Sequence, residues 1–269
     1  LHSFPTRRSS DLWVMEMIDT TMVVLGGFAF CAGLIDASVG GGGLVQIPAL
    51  LNALPHQNIA TILGTNKLAV WAGTASAIGR YIPNIAFNWQ LLLPTLLSAF
   101  VFAFLGAYVT DQVPQTLLRY GVFVLLIVMA IYTFMNKTLG AEQTKVSWGL
   151  KQIVLGILFG GLIGFYDGIF GAGSGSLLLF MFVKVFGFNF VQASAYTKVV
   201  NLATFTSALL FFIPSGHVLW HISGLVALCN VSGSIVGVYL ALRYGNGFIR
   251  WFFLILLMLL ITHMALTLF

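Results

Sequence analysis

A helix needs roughly 20 consecutive apolar residues to cross the hydrocarbon core of a bilayer. Eight segments of this chain reach that length: 20–54, 58–81, 89–110, 115–135, 152–186, 190–213, 219–243 and 246–269. They leave little sequence from which to build a hydrated surface. Charged residues make up 7% of the chain, against about 25% in a soluble domain, so a water-soluble globule is excluded. Disorder is excluded too, because it needs low hydrophobicity and high charge, whereas 59% of these residues are hydrophobic. The expectation is an all-α polytopic membrane protein. Lipid offers no partner to backbone N–H and C=O groups, and a helix satisfies them internally.

The segments divide four and four around one long polar stretch, 136–151, which holds Lys137, Glu142, Lys145 and Lys151. The expected units are an N-terminal tail (1–19), a first membrane repeat (20–135), a polar linker (136–151) and a second membrane repeat (152–269). Residues 1–12 (LHSFPTRRSSDL) are polar and basic, unlike the rest of the chain, and resemble translated sequencing-adapter DNA. They are expected to be foreign, so Arg7 and Arg8 carry no weight in the topology. The net charge of +5 is otherwise dispersed. That fits cation-rich loops and argues against nucleic acid as a partner. Cys31 and Cys229 lie in apolar segments, and His217 and His221, spaced i,i+4, have no acidic companion. Neither a disulfide framework nor a metal site is expected. There is no P-loop and no recognisable nucleophile–base arrangement. The reading is therefore not an enzyme, with no cofactor.

Sliding the chain by 131 positions aligns its halves without a gap. Asp36 falls on Asp167, Gly40 on Gly171, Gly42 on Gly173, Asn58 on Asn189, Lys67 on Lys198, Pro83 on Pro214, Trp89 on Trp220 and Arg119 on Arg250. Apolar coincidences are cheap in such a composition, but coincidences of Asp, Lys, Pro, Trp and Arg are not. Duplicated units with a site at their interface are an architecture of secondary transporters. Two topologies remain open. If all eight segments span, the repeats are parallel and the cations split poorly. If each first segment turns back at its glycines, each repeat has three crossings and the repeats are inverted. Arg80, Lys137, Lys145, Lys151, Lys184, Arg243 and Arg250 then share one side, with Arg119 opposite. The positive-inside rule favours the inverted arrangement.

The repeated element is G-x-x-D-x-x-x-G-x-G, at 33–42 and 164–173. It predicts a break in the first helix of each repeat, where Gly40, Gly41, Gly42 and Gly43, then Gly171 and Gly173, let a backbone or ligand approach closely. A helix restarting there offers free N–H groups and a positive dipole end, a site for an anion. Ser174 adds a hydroxyl. Close helix packing through small residues is the plainer alternative, but packing alone requires neither the Asp nor four consecutive glycines. Asp36 and Asp167 fall at membrane depth, where an acid is functional by default. Proton binding, cation coordination and capping of broken-helix N–H groups stay open for them. Lys67 and Lys198 sit in T-N-K (65–67) and Y-T-K (196–198). With Asn66, Thr197 and, one turn on, Asn201, they suit a small oxyanion. Snorkelling to the interface and an ion pair with the Asp of the same repeat are the alternatives.

G-L-I-D-A-S-V-G-G-G-G at 33–43 and G-F-Y-D-G-I-F-G-A-G-S-G at 164–175, together with T-N-K and Y-T-K, resemble the sulfite exporter TauE/SafE family of bacterial membrane permeases. The resemblance runs from about residue 20 over nearly the whole chain. It implies a multi-pass permease of the inner (cytoplasmic) membrane for small sulfur-containing anions such as sulfite or organosulfonates. Thr197 stands where the first half has Asn66, which puts the equivalence of the two half-sites in doubt. The expectation is a secondary transporter whose anion lies between the halves, with Lys67 and Lys198 compensating its charge and Asp36 or Asp167 coupling it to protons. A passive anion channel, an intramembrane metal-dependent enzyme using the two acids, and an assembly partner are the rivals. The expected partners are the anion and the bilayer, and the oligomeric state is left open.

Overall fold

The computed structural model describes residues 9–110 and 149–268, with single positions 124, 127, 131 and 135 between them, and side chains from residue 21, at only some positions past 249. Nearly all of the fourth segment, and Arg119, Lys137, Glu142 and Lys145, lie outside the described residues. The described elements are helices: α1 (Ser9–Val39), α2 (Gly42–Ala53), α3 (Ile59–Tyr81), α4 (Trp89–Tyr108), α5 (Leu150–Ile169), α6 (Ser174–Lys184), α7 (Phe190–Phe212) and α8 (Trp220–Leu268). α8 is broken at Gly245, where φ is +68°. α1 begins at Ser9, inside the stretch expected as a tail.

Among the described residues, five stretches are long and apolar enough to cross a membrane: Thr21–Val39, Trp89–Tyr108, Leu150–Ile169, Phe190–Phe212 and Trp220–Ile249. The chain is a multi-pass membrane protein. α3 matches α7 in length, at 23 residues, but is more polar. Its Thr61, Thr65, Asn66, Lys67 and Thr74 are buried against neighbouring helices rather than turned to lipid. Three helices start on an asparagine whose side-chain oxygen accepts a first-turn backbone N–H: Asn58 from Ala60 (3.0 Å), Asn88 from Gln90 (3.1 Å) and Asn189 from Gln192 (2.8 Å). Each satisfies a donor that the helix itself leaves free.

The first segment of each half divides at its glycines. α2 turns back along α1, so that Leu50 packs beside Leu25 and Gly42 lies against Ala32 and Asp36. α6 likewise returns after a turn in which Gly171 and Gly173 take φ of +76° and +84°. α2 and α6 have 12 and 11 residues. At 1.5 Å per residue they are about 16–18 Å long, roughly half of a 30 Å hydrocarbon core. Both hairpin tips therefore end inside the protein.

Lipid gives helices no hydrophobic reason to associate, so they pack through small residues. α5 lies parallel to α4, with Gly156 against Leu91, Gly160 against Thr95, Gly164 against Ala99 and Gly168 against Ala103. A Cβ on Gly164 would come 2.5 Å from the Ala99 carbonyl oxygen. α1 lies on α8 in the same way, with Gly33 against Asn230, Gly233 against Phe30 and Gly237 against Leu34. Between these pairs, α3 and α7 run antiparallel. Thr61, in the first turn of α3, bonds to His217 beyond the end of α7 (3.1 Å), and Trp71 donates to Thr206 (2.9 Å).

One end of the bundle gathers four loops. Phe87, ahead of α4, lies 5.0 Å from Tyr196, and Phe188, ahead of α7, lies 4.5 Å from the same ring. Asn246, at the break in α8, accepts from the Val191 N–H (3.1 Å). Leu91 at the start of α4 touches Gly156 near the start of α5. Arg80, Lys151, Lys184 and Arg243 flank these loops and so share this end. Lys67 and Lys198 are the other described Lys or Arg side chains, and both are buried in the middle.

Candidate functional site

The two hairpin tips meet backbone to backbone. Gly40 has φ of +74°, and a Cβ there would lie 2.5 Å from the carbonyl carbon of Gly175. A Cβ on Gly175 would lie 2.7 Å from the Gly40 oxygen. Only glycine permits both the left-handed turn and this approach. The contact is tied by hydroxyls: Ser176 donates to the Gly40 carbonyl (2.7 Å) and Ser194 to the Ser38 carbonyl (2.6 Å). α2 and α6 start at these tips on Gly41 and Gly173, with no side-chain cap. Two helix N-termini, each with positive dipole ends and uncommitted N–H groups, thus face the centre of the protein.

α3 and α7 bring the lysines to the tips. The Lys67 ammonium is 2.8 Å from Asp167 Oδ1, donates to the Asp167 carbonyl oxygen (2.7 Å) and lies 4.6 Å over the Phe205 ring. The carbonyl bond caps the last turn of α5, the negative end of that helix. Asp167 Oδ1 also accepts from Ser174 (2.5 Å). Lys198 is 2.8 Å from Asp36 Oδ2, which also accepts from Thr74 (3.3 Å). Each lysine therefore pairs with the acid of the other half of the chain, not with that of its own half. The tips reach past one another at the centre, so the tip of each hairpin lies beside the opposite lysine helix. Neither lysine snorkels: Lys67 is 2% exposed and Lys198 0%.

A narrow cleft opens between the tips, with room for about one water-sized centre. Its walls are the two glycine turns with Ser174, together with Asp36, Asn66, Lys67, Val70 and Phe205. Of the residues expected at the site, Gly40, Gly41, Gly42, Gly43, Asn66, Lys67, Gly171, Gly173, Ser174 and Asp36 come together here. Thr197, Lys198, Asn201 and Asp167 do not line it; all four are fully buried. Asn66 Oδ1, Asp167 Oδ2, Thr197 Oγ1 and both polar side-chain atoms of Asn201 have no hydrogen-bond partner among the described residues. Val70, Thr74 and Phe205 were not anticipated. Thr74 stands two turns after Lys67 on the same face of α3, and Phe205 is its counterpart 131 positions on, so the signal lay in the repeat. Among the described residues no three His, Cys, Asp or Glu side chains come close enough to hold a metal ion.

The model of the sulfite exporter TauE/SafE family matches residues 25–264. The chain belongs to this family. Relatives of this TauE/SafE chain are described as probable membrane transporter proteins. A probable membrane transporter protein of Haemophilus influenzae is 30% identical over 230 residues, covering 85% of this chain and 88% of its own. One from a Sinorhizobium species is 36% identical, covering 82% and 84%. The Escherichia coli K12 probable membrane transporter protein YfcA is 33% identical, covering 82% and 81%. No solved structure matches this chain. The family is thus one of probable membrane transporters, and the cleft lies where this chain's broken helices cross.

Proposed function

We propose that the protein is a secondary transporter of a small anion, with sulfite or an organosulfur anion as substrate, bound at the crossed tips and coupled to protons. The observation that carries this reading is the cleft's composition: two helix N-termini, Lys67 from one ion pair and Asp36 from the other. An anion entering it gains the N–H groups and the ammonium, but meets the Asp36 carboxylate. A proton on Asp36 removes that repulsion and releases Lys198, so proton and anion enter together.

The scaffold reading is two inverted repeats, 20–135 and 152–269, joined by a polar linker. α3 and α7 have bounds offset by 131, as do the starts of α4 and α8. Lys67–Asp167 and Lys198–Asp36 are one contact under that offset. So are the Leu219 N–H on Thr65 (3.0 Å) and the Asn88 N–H on Tyr196 (2.5 Å). The counterparts α3 and α7 run antiparallel, which supports inversion. Arg80, Lys151, Lys184 and Arg243 gathered at one end support reading that end as the cytoplasmic side of the inner membrane.

The test is sulfite uptake into proteoliposomes under an imposed pH gradient. The parent protein accumulates sulfite above the outside concentration, whereas a passive channel only equilibrates it. Asp36→Asn retains sulfite binding but loses the response to the gradient. Uphill uptake that survives unchanged in Asp36→Asn refutes coupling at this acid.

A further inference from the structure

Asn201 is fully buried at the crossing of α3 and α7, and neither its amide oxygen nor its amide nitrogen has a partner among the described residues. One turn before it, Thr197 is fully buried with its hydroxyl equally unpartnered among them. Buried polar groups with no partner cost stability. Their place explains them. Thr197, Asn201 and Phe205 are spaced i, i+4, i+8 and so share one face of α7. Phe205 is in the cleft wall, so Asn201 stands one turn and Thr197 two turns beyond it, about 5 Å per turn. On the facing helix, Lys67 lies over Phe205 at the cleft end of the crossing. Further along the crossing Thr74 and Lys198 share the carboxylate of Asp36, which itself lines the cleft.

The cleft takes Asn66, Lys67 and Val70 from α3. The positions 131 further on are Thr197, Lys198 and Asn201. We propose that these three form a second, closed half-site, and that Asn201 is the hydrogen-bonding station through which a small oxyanion passes between it and the cleft. Its ligands are an amide N–H, a hydroxyl and, once Asp36 lets go, an ammonium. All are donors, as an oxyanion requires. The inference rests on the transporter reading above and names a step within it.

The test uses two substitutions of one shape, Asn201→Val and Asn201→Thr, in the full chain, with sulfite as probe. Asn201→Val leaves Tm no lower than the parent's, since it removes only unpartnered groups. Sulfite uptake per reconstituted protein falls roughly 10- to 100-fold, the effect of one lost hydrogen bond to a charged ligand. Asn201→Thr, with its hydroxyl restored, transports measurably faster than Asn201→Val. Equal uptake in the two variants, at any level, overturns the proposal. Thr197→Val against Thr197→Ser repeats the comparison at the neighbouring position if Asn201→Val does not fold. A parent protein that neither binds nor carries sulfite breaks the transporter reading itself. A parent that does both, with indistinguishable variants, breaks only this inference.

Discussion

The two hairpin tips are built to one plan and finished differently. The second carries Ser174, whose hydroxyl holds Asp167 at 2.5 Å. Lys67 grips both the carboxylate and the backbone carbonyl of the same Asp167. That acid is 0% exposed. The first tip has four glycines, with Gly43 at the position 131 before Ser174. Its Asp36 has Lys198 and a longer bond from Thr74, is 7% exposed and faces the cleft. The two tips thus carry one fastened ion pair and one looser pair that the cleft can reach. A buried pair adds little net stability, but losing one partner leaves an unpaired charge.

The largest expected effect comes from removing single charges. Lys67→Ala lowers unfolding free energy by about 3–5 kcal/mol, because the Asp167 it leaves behind is fully buried away from the cleft. Lys198→Ala costs less, because the Asp36 it leaves behind faces the cleft and can be hydrated. Denaturant unfolding in micelles reads the difference, and equal losses at the two pairs break the comparison. Double-mutant cycles sharpen it: the coupling of Lys67 to Asp167 exceeds that of Lys67 to Asp36. A smaller effect separates the turns themselves. Gly40→Ala costs about 2–4 kcal/mol, from left-handed strain plus overpacking against the Gly175 backbone. Gly171→Ala costs about 1–2 kcal/mol, because its Cβ meets the flexible end of Lys67 at 2.8 Å. A Tm shift as large at Gly171 as at Gly40 would erase the distinction between the tips. Smallest of all, Asn58→Ala and Asn189→Ala each cost about 1 kcal/mol as lost caps, and equally. Unequal values there would show that the halves differ in frame as well as finish.

Much of the frame was legible because it is local. Apolar length marks the spans, Asn58 and Asn189 mark two helix starts, and the glycine runs mark the breaks. The rare charges Asp36, Lys67, Asp167 and Lys198 were legible because each is repeated. Their pairing was not. An offset of 131 says which residues correspond, while contact depends on how deep each tip reaches past the other, a property of two helices together. The ion pair within one repeat, a natural alternative from sequence, fails for that reason. Thr197 and Asn201 were marked as binding residues by their closeness to Lys198. Their seclusion from the cleft arises from the α3–α7 crossing, which no single segment encodes.

The crossed pairs also have a consequence in time. Asp36 and Lys198 are 162 residues apart in the chain. At about 5–20 residues per second of synthesis, the acid emerges roughly 8–30 s before its partner. An acid at the centre of an inserted helix costs about 2.5–3.5 kcal/mol. Until α7 is made, the first hairpin therefore carries an acid whose partner Lys198 does not yet exist.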